Sequence, residues 1–251
     1  MTLPSLTEPE NLAVFLDFDG TLVEIAERPD AVAVAEETRT ALGRLQTALG
    51  GALAIVTGRE IEVIDAMLLP FRCPVAGIHG LTRRDAAGRA HATAVGEELV
   101  AHALGALAPL LASEPGLLLE RKSHAIALHY RARPDLEGVV LATMEKIADA
   151  VPETRVVRGK MVVEARPGGG DKGTAVADFL AEPPFLGRTP VFAGDDETDE
   201  DAFRLVNARG GFSVKIGGGV TSATFRAEST AAFLAWLVAT AERLEKGASI
   251  G

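Results

Sequence analysis

The sequence has a single cysteine, Cys73, among its 251 residues. One cysteine excludes an internal disulfide framework and a zinc site built from several cysteines, and it is usual in a reducing compartment. Basic residues are also few, because 25 Lys and Arg stand against 35 Asp and Glu and the formal net charge is −10. Nucleic acids and anionic membranes bind basic surfaces, so neither is expected as a partner. We predict a cytoplasmic monomer that binds a small molecule.

Long apolar runs are scarce as well. The longest strongly apolar stretch, Ala231–Ala239, is far shorter than the ~20 residues that a membrane span needs. The first ten residues have neither the basic region nor the apolar region of a signal peptide. Hydrophobic residues nevertheless make up 47% of the chain, which is a globular composition, and the length suits one large or two modest domains.

Short apolar runs alternate with helical patterns along much of the chain. Leu12–Leu16 is predicted to be a buried strand, Val34–Leu49 a helix and Ala52–Val56 a second strand, and the alternation resumes after Gly170. This order predicts an α/β fold with a doubly wound, mostly parallel, Rossmann-like sheet. Residues 95–167 interrupt it with a mixture of helices and strands. We therefore predict a core formed by residues 1–94 and 168–251 and an inserted α+β domain at 95–167.

Two carboxylates, Asp17 and Asp19, follow the first predicted strand in the segment Asp-Phe-Asp-Gly-Thr. In an extended chain their side chains project to the same side, where they repel unless one is protonated or a cation lies between them. The pair therefore indicates a metal site, an acid/base pair or both. Asp-Gly is also common in turns, so a purely structural role stays open.

Three further segments lie where strands end or helices begin. Thr57 follows the second strand, Lys172 lies at the start of a helix, and four acids, Asp195, Asp196, Glu197 and Asp199, follow a strand near residue 193. Ligands of open parallel sheets bind at the carboxyl ends of the strands, so we expect these segments to converge. Carboxylates for a hard cation, with a hydroxyl and a lysine for a phosphate, are the groups that phosphoryl transfer requires. No nucleotide-binding P-loop or kinase motif is present, which favours hydrolysis.

These motifs, taken in order, resemble those of the haloacid dehalogenase superfamily of phosphohydrolases. The resemblance implies that Asp17 is the nucleophile that forms an aspartyl-phosphate and that Asp19 is the general acid/base. It also implies that Thr57 and Lys172 hold the phosphoryl group. The implied cofactor is Mg²⁺, held by the Asp17 side chain, the Asp19 main-chain carbonyl and the Asp195 side chain.

The predicted insert carries charged residues in its strands. If Arg158–Arg166 is one continuous strand, Arg158, Lys160, Glu164 and Arg166 share a face. Glu120 and Lys122 are two residues apart, so they would also lie on one face of an extended strand. A face of carboxylates and amines can hydrogen-bond the hydroxyls of a sugar, although a solvated sheet face would have the same pattern.

The segments 120–131, 159–167, 77–80 and 194–200 closely resemble the trehalose-6-phosphate phosphatase family. The resemblance implies hydrolysis of trehalose 6-phosphate, the last step of trehalose biosynthesis. It implies that Glu120, Lys122 and Glu164 bind the sugar, with His79, Arg59 and Arg131 as further candidates. Sucrose-phosphate and mannosyl-phosphoglycerate phosphatases remain alternatives within the class. A response-regulator receiver, which is a signalling module, is an alternative from another class, but this chain is about twice the size that such a module needs.

Overall fold

The computed structural model describes residues 3–25, 32–92, 94–159 and 161–248. The chain divides into two compact units: unit 1 comprises Met1–His91 and Asp171–Gly251, and unit 2 is the continuous segment Ala92–Gly170. The predicted insert, 95–167, begins and ends three residues inside unit 2. Lys160, which the sequence analysis placed on a charged strand face, lies outside the described residues.

The regular elements of the described residues are as follows. The strands are β1 (Leu12–Leu16), β2 (Leu53–Val56), β3 (Val75–Gly77), β4 (Thr82–Arg84), β5 (Ala90–Ala92), β6 (Leu118–Arg121), β7 (Ile126–His129), β8 (Thr154–Gly159), β9 (Val162–Pro167), β10 (Thr189–Gly194), β11 (Phe212–Ile216) and β12 (Phe225–Ala227). The α-helices are α1 (Glu36–Ala48), α2 (Ile61–Leu68), α3 (Ala94–Ser113), α4 (Glu137–Ala150), α5 (Lys172–Leu180), α6 (Glu200–Ala208) and α7 (Thr230–Ala248).

Unit 1 is built on an eight-stranded sheet in the order β12-β11-β10-β1-β2-β3-β4-β5. The strands from β12 to β3 pair in parallel, and β4 runs antiparallel to β3. Every residue of β1 is buried, as expected for a central strand covered on both faces. The predicted α/β fold is confirmed. The chain moves from β1 to one side of the sheet and returns through β10 on the other, so the strand order reverses at the β1–β10 pair, where open sheets bind ligands.

Two pairs of helices pack against each other in unit 1, α1 with α7 and α5 with α6. The centre of the core holds three fully buried aromatic rings. The ring centroid of Phe15 lies 5.4 Å from that of Phe185 and 6.0 Å from that of Phe179. Aromatic contacts of this kind stabilise a core beyond the area that they bury. Phe15 belongs to β1, so its ring contacts with Phe179 and Phe185 anchor the strand that leads to Asp17.

Unit 2 contains a four-stranded antiparallel sheet in the order β6-β7-β9-β8. Helices α3 and α4 pack on one face, which contributes Ile126, Leu128 and Val163 to the core. The opposite face, here called the polar face, carries Glu120, Ala127 and Glu164 in one row across β6, β7 and β9.

The structure corrects one prediction about this sheet. The segment 158–166 is a hairpin rather than one strand, because the chain reverses through Met161, which has a φ of 61°. Residues directly opposite each other in an antiparallel pair share a face. Glu164 pairs with Val157, and Arg158 pairs with Val163. Arg158 therefore lies on the face opposite to that of Glu164 and Arg166.

Helix α3 of unit 2 is long and apolar. By length and composition, its segment Val95–Ser113 could cross a membrane, with a mean hydropathy of 1.3. Core helices of soluble proteins pass the same test, so this is weak evidence for a membrane. Leu99, Ala103 and Leu107 of this helix are buried in the core of unit 2, and 28% of the segment is buried inside the structure.

Candidate active site

A buried lysine joins two carboxylates at the carboxyl end of β1. Asp17 directly follows β1, where its backbone N–H donates to the Ala193 carbonyl oxygen of β10 at 2.9 Å. Lys172, the first residue of α5, places Nζ 2.7 Å from Asp17 Oδ1 and 2.7 Å from Asp199 Oδ1. All three charged side chains are buried, with Asp17 only 3% exposed. One cation thus holds two carboxylates in fixed positions.

The electrostatics of this group leave negative charge in excess. Burial raises the pKa of Asp17 well above its ordinary value, against the attraction of Lys172, and raises the pKa of Asp199 to about 6. Burial alone would lower the pKa of Lys172, but the two carboxylates outweigh it and raise the pKa. One ammonium group cannot fully compensate two buried carboxylates. A further cation would therefore be stabilised here.

The acidic segment after β10 separates into distinct roles. Asp196 caps the short 3₁₀ helix Glu197–Asp199, because its Oδ1 accepts a hydrogen bond from the backbone N–H of Thr198 at 2.8 Å. Asp199 Oδ2 in turn accepts from the backbone N–H of Asp196 at 3.0 Å. Lys215 of β11 is 6% exposed and donates to the main-chain carbonyl of Asp195. These bonds fix the loop, which leaves the Asp195 side chain beside Asp17.

Three carboxylates of this region fit a hard cation. Oxygen atoms of Asp17, Asp195 and Asp199 all lie within 4.8 Å of one another. Burial raises the pKa of Asp195, and its neighbour Asp196 raises it further. Gly20 adopts a φ of +73°, and a Cβ atom there would lie 2.0 Å from Asp195 Oδ2. The close approach of the Gly20 backbone shapes a cradle for oxygen ligands, which Mg²⁺ and Ca²⁺ prefer.

We expect Gly20→Ala to reduce kcat/KM by about a hundredfold, because the new methyl group displaces the Asp195 carboxylate by an ångström or more. Gly88→Ala is the matched control. Gly88 also has a positive φ, of +81°, but a Cβ atom there has nothing within 4 Å. Both variants carry similar backbone strain, so comparable thermal unfolding with unequal activity would isolate the contact with Asp195. Equal activities of the two variants would show that the contact with Asp195 does not affect turnover.

Asp19 is held by an arginine rather than by a backbone cap. Arg59 Nε lies 2.7 Å from Asp19 Oδ2, and Arg59 Nη2 lies 2.6 Å from Asp19 Oδ1. The guanidinium also lies 5.6 Å from the centre of the Phe18 ring. Such a two-point pair fixes both the position and the rotation of a carboxylate. Arg59, predicted as a candidate sugar ligand, thus contacts the predicted general acid/base.

Seven of the predicted site residues line one cleft of about 440 Å³ in unit 1. They are Asp17, Asp19, Thr57, Arg59, His79, Lys172 and Asp195. Thr57 follows β2 and is 1% exposed. His79 has a φ of 55°, and a Cβ atom at Gly58 would lie 2.7 Å from its Nε2. The close packing of His79 on Gly58 holds the imidazole in the wall of the cleft.

The other predicted site residues lie in unit 2, and three of them contact a polar side chain of the same unit. Lys122 Nζ pairs with Glu164 across the sheet. Glu120 Oε2 lies 2.8 Å from His129 Nε2. Arg131, which follows β7, is exposed. The polar face thus presents two carboxylates, each beside a nitrogen donor, which is an arrangement able to bind hydroxyl groups.

The sequence predicts no separate role for Asp199, Lys215 or His129. Asp199 is one of four acids in one segment, and only its burial against Lys172 distinguishes it. Lys215 belongs to a strand that was not predicted. The pairing of His129 with Glu120 depends on the register between β6 and β7. None of these contacts has a local sequence signal.

Comparisons with known proteins agree on one family. Residues 15–235 match the family model described as trehalose-phosphatase. The trehalose-6-phosphate phosphatase of Escherichia coli (strain K12) is 42% identical over 240 residues, which cover 94% of this chain and 90% of that protein. A crystal structure of a trehalose-6-phosphate phosphatase related protein superimposes with a TM-score of 0.65 at 26% identity, covering 96% of this chain and 100% of the other.

A more distant structure shares the fold alone. The crystal structure of a haloacid dehalogenase-like hydrolase from Bacteroides thetaiotaomicron has a TM-score of 0.62 at 16% identity, covering 94% of this chain and 98% of the other. The haloacid dehalogenase-like architecture inferred from the motifs is confirmed. Because the family model covers most of the chain and a curated relative matches nearly its whole length, this phosphatase belongs to the trehalose-phosphatase family.

Proposed function

We propose that this enzyme hydrolyses trehalose 6-phosphate to trehalose and phosphate through an aspartyl-phosphate on Asp17, with Mg²⁺ as cofactor. The observation that carries the proposal is the convergence of Asp17, Lys172 and Asp195 in one cleft with Asp19. A buried carboxylate held by a lysine is a positioned nucleophile, and its neighbours supply the other groups that phosphoryl transfer needs.

In the first half of the reaction, an oxygen of Asp17 attacks phosphorus and the bond between phosphorus and the sugar oxygen breaks. Asp19 donates a proton to that leaving oxygen. In the second half, Asp19 accepts a proton from water, whose oxygen attacks phosphorus and releases phosphate from Asp17. The two bonds from Arg59 hold the Asp19 carboxylate in a fixed position in the cleft.

Lys172 and Thr57 would hold the phosphoryl oxygens, the first as a fixed positive charge and the second through its hydroxyl. The Asp17 side chain, the Asp19 main-chain carbonyl and the Asp195 side chain would hold Mg²⁺. Asp199 lies within reach of the same cluster, although its two oxygens are bonded to Lys172 and to the Asp196 backbone. When bound, Mg²⁺ neutralises charge on the phosphoryl oxygens and on the carboxylates.

We infer that unit 2 is the cap that selects the sugar, with Glu120, Lys122 and Glu164 as its principal ligands. Arg131 in unit 2, with His79 and Arg59 in unit 1, are secondary candidates. Ionised carboxylates accept hydrogen bonds from hydroxyl groups, and Lys122 donates to hydroxyl oxygens. A small or apolar substrate would leave these charged groups without partners.

Phosphate release from a panel of sugar phosphates tests the function. Trehalose 6-phosphate, sucrose 6-phosphate, mannosyl-phosphoglycerate and glucose 6-phosphate are compared at equal concentration, with Mg²⁺ and with a chelator. We expect the highest kcat/KM for trehalose 6-phosphate and loss of activity in the chelator. A higher kcat/KM for another member of the panel would reassign the substrate. Full activity in the chelator would show that Mg²⁺ is not required.

The cap assignment makes a selective prediction. Glu164→Gln is expected to lower kcat/KM for trehalose 6-phosphate by about tenfold to a hundredfold, since a hydrogen bond to a charged group contributes roughly 1.5–3 kcal/mol. Turnover of p-nitrophenyl phosphate, which lacks the sugar, should hardly change. Glu145→Gln, an exposed carboxylate on α4, is the control. If Glu164→Gln lowers both activities in the same proportion, Glu164 does not contact the sugar.

We also propose a cytoplasmic location and a monomeric state. Cys73, the single cysteine, is buried as a free thiol, and burial raises its pKa to about 12. Such a thiol is unreactive and suits a reducing compartment. Fractionation of the producing cells and light scattering of the purified protein test the two statements.

A further inference from the structure

Arg166 of β9 differs from the other arginines with a similar degree of burial. It is half-buried, and its Nε is a buried donor with no acceptor among the described residues. Within the described ranges, every other half-buried arginine donates to, or pairs with, a protein oxygen: Arg39, Arg44, Arg59, Arg83, Arg84, Arg133, Arg188 and Arg226. A partly buried guanidinium with unused donors is costly unless something else accepts from it.

The nearest cross-strand neighbour of Arg166 makes the position less favourable. Arg155 of β8 lies directly opposite Arg166 in the antiparallel pair, and like charges in that relation repel. Glu164, two residues away on the same face, is paired with Lys122. Burial lowers the pKa of Arg166 and the charge of Arg155 lowers it further, against the attraction of Glu164. The two arginines therefore concentrate positive charge on a protein whose net charge is −10.

We propose that Arg166 and Arg155 together bind an oxyanion at the β8–β9 end of the polar face of unit 2. Guanidinium groups present donors in a planar fork that matches the oxygens of phosphate, sulfate or carboxylate. A neutral hydroxyl would satisfy a donor but would not relieve the repulsion between the two cations, whereas an anion does both. The anion is a free oxyanion such as inorganic phosphate, because the phosphoryl group of the substrate is assigned to Lys172 and Thr57 of unit 1, and the site therefore does not rest on the proposed function.

Thermal unfolding of the full chain in sodium sulfate, against sodium chloride of equal ionic strength, tests the site. Arg166→Gln is compared with Arg158→Gln, its matched control in the same hairpin but on the opposite face. We expect wild type and Arg158→Gln to gain at least about 3 °C more from sulfate than Arg166→Gln, which corresponds to an anion present at roughly ten times its Kd. The phosphoryl site of unit 1 is intact in all three proteins, so its contribution cancels.

In chloride, Arg166→Gln should unfold no lower than wild type, because it removes one of two repelling charges. If that variant does not fold, Arg155→Gln provides the same comparison, since Arg155 is exposed. An equal sulfate gain in all variants overturns the proposal.

Turnover shows whether this site is separate from the active site. In Arg166→Gln the sulfate gain should be lost, while kcat/KM for trehalose 6-phosphate and for p-nitrophenyl phosphate stays at the wild-type value. A loss of kcat/KM of at least about tenfold relative to Arg158→Gln would assign Arg166 to substrate binding instead and overturn the proposal. Failure of the proposed function would instead appear as absent phosphate release by the wild-type enzyme.

Discussion

Asp17→Asn is expected to lower phosphate release from trehalose 6-phosphate by about four orders of magnitude or more. A carboxamide does not attack phosphorus, and it leaves any bound cation without one of its negative ligands. Losses of this size are usual when a covalent nucleophile is removed. The fold should persist, because the substitution keeps the side-chain volume and Lys172 retains its bond to Asp199.

The measurement is phosphate release at saturating substrate, together with the intact mass of the protein after acid quenching during turnover. Wild type should show a phosphate adduct, and Asp17→Asn should not. Asp178→Asn, an exposed carboxylate on α5, is the control for the loss of one charge. Near-normal turnover by folded Asp17→Asn would show that Asp17 is not the nucleophile.

Asp19→Asn is expected to lower turnover of trehalose 6-phosphate by roughly 10²–10⁴-fold, the usual contribution of general acid–base catalysis. The loss should be smaller for p-nitrophenyl phosphate, because p-nitrophenolate departs without receiving a proton. Asparagine can still accept one bond from Arg59, so the local geometry should change little. Equal losses on the two substrates would contradict the acid role and leave only the role in activating water.

The convergence of Asp17, Thr57, Lys172 and Asp195 could be predicted because each follows a strand or begins a helix in an α/β pattern. Parallel strands bring their carboxyl ends to one edge, so position along the chain determines position in the cleft. The pairing of Arg59 with Asp19 could not be predicted in this way. It depends on the path of a side chain across the gap between two loops, and nothing in a Thr-Gly-Arg segment specifies that path.

The hairpin of β8 and β9 shows a second limit. Glycine marks many turns, but here the positive φ belongs to Met161, a residue that rarely adopts it. The alternation of charged and apolar residues continues through the turn, so the segment resembles one strand. Because the chain reverses, two residues that are an even number of positions apart but lie on different strands of this hairpin are on opposite faces of the sheet. That inversion separates Arg158 from Glu164 and leaves Arg166 opposite Arg155.

The discontinuity of unit 1 determines the order in which the chain can fold during synthesis. Unit 2 is a continuous segment. In unit 1, by contrast, β1 cannot pair with β10, and Asp17 cannot bond to Lys172, 155 residues later, until those parts of the chain have been synthesised. Contacts between residues close in sequence form early, and pairing across long separations is slow. We therefore expect unit 2 to fold on the ribosome while β1 still exposes an unpaired edge, so that chaperone binding and aggregation during synthesis concentrate on the N-terminal part of unit 1.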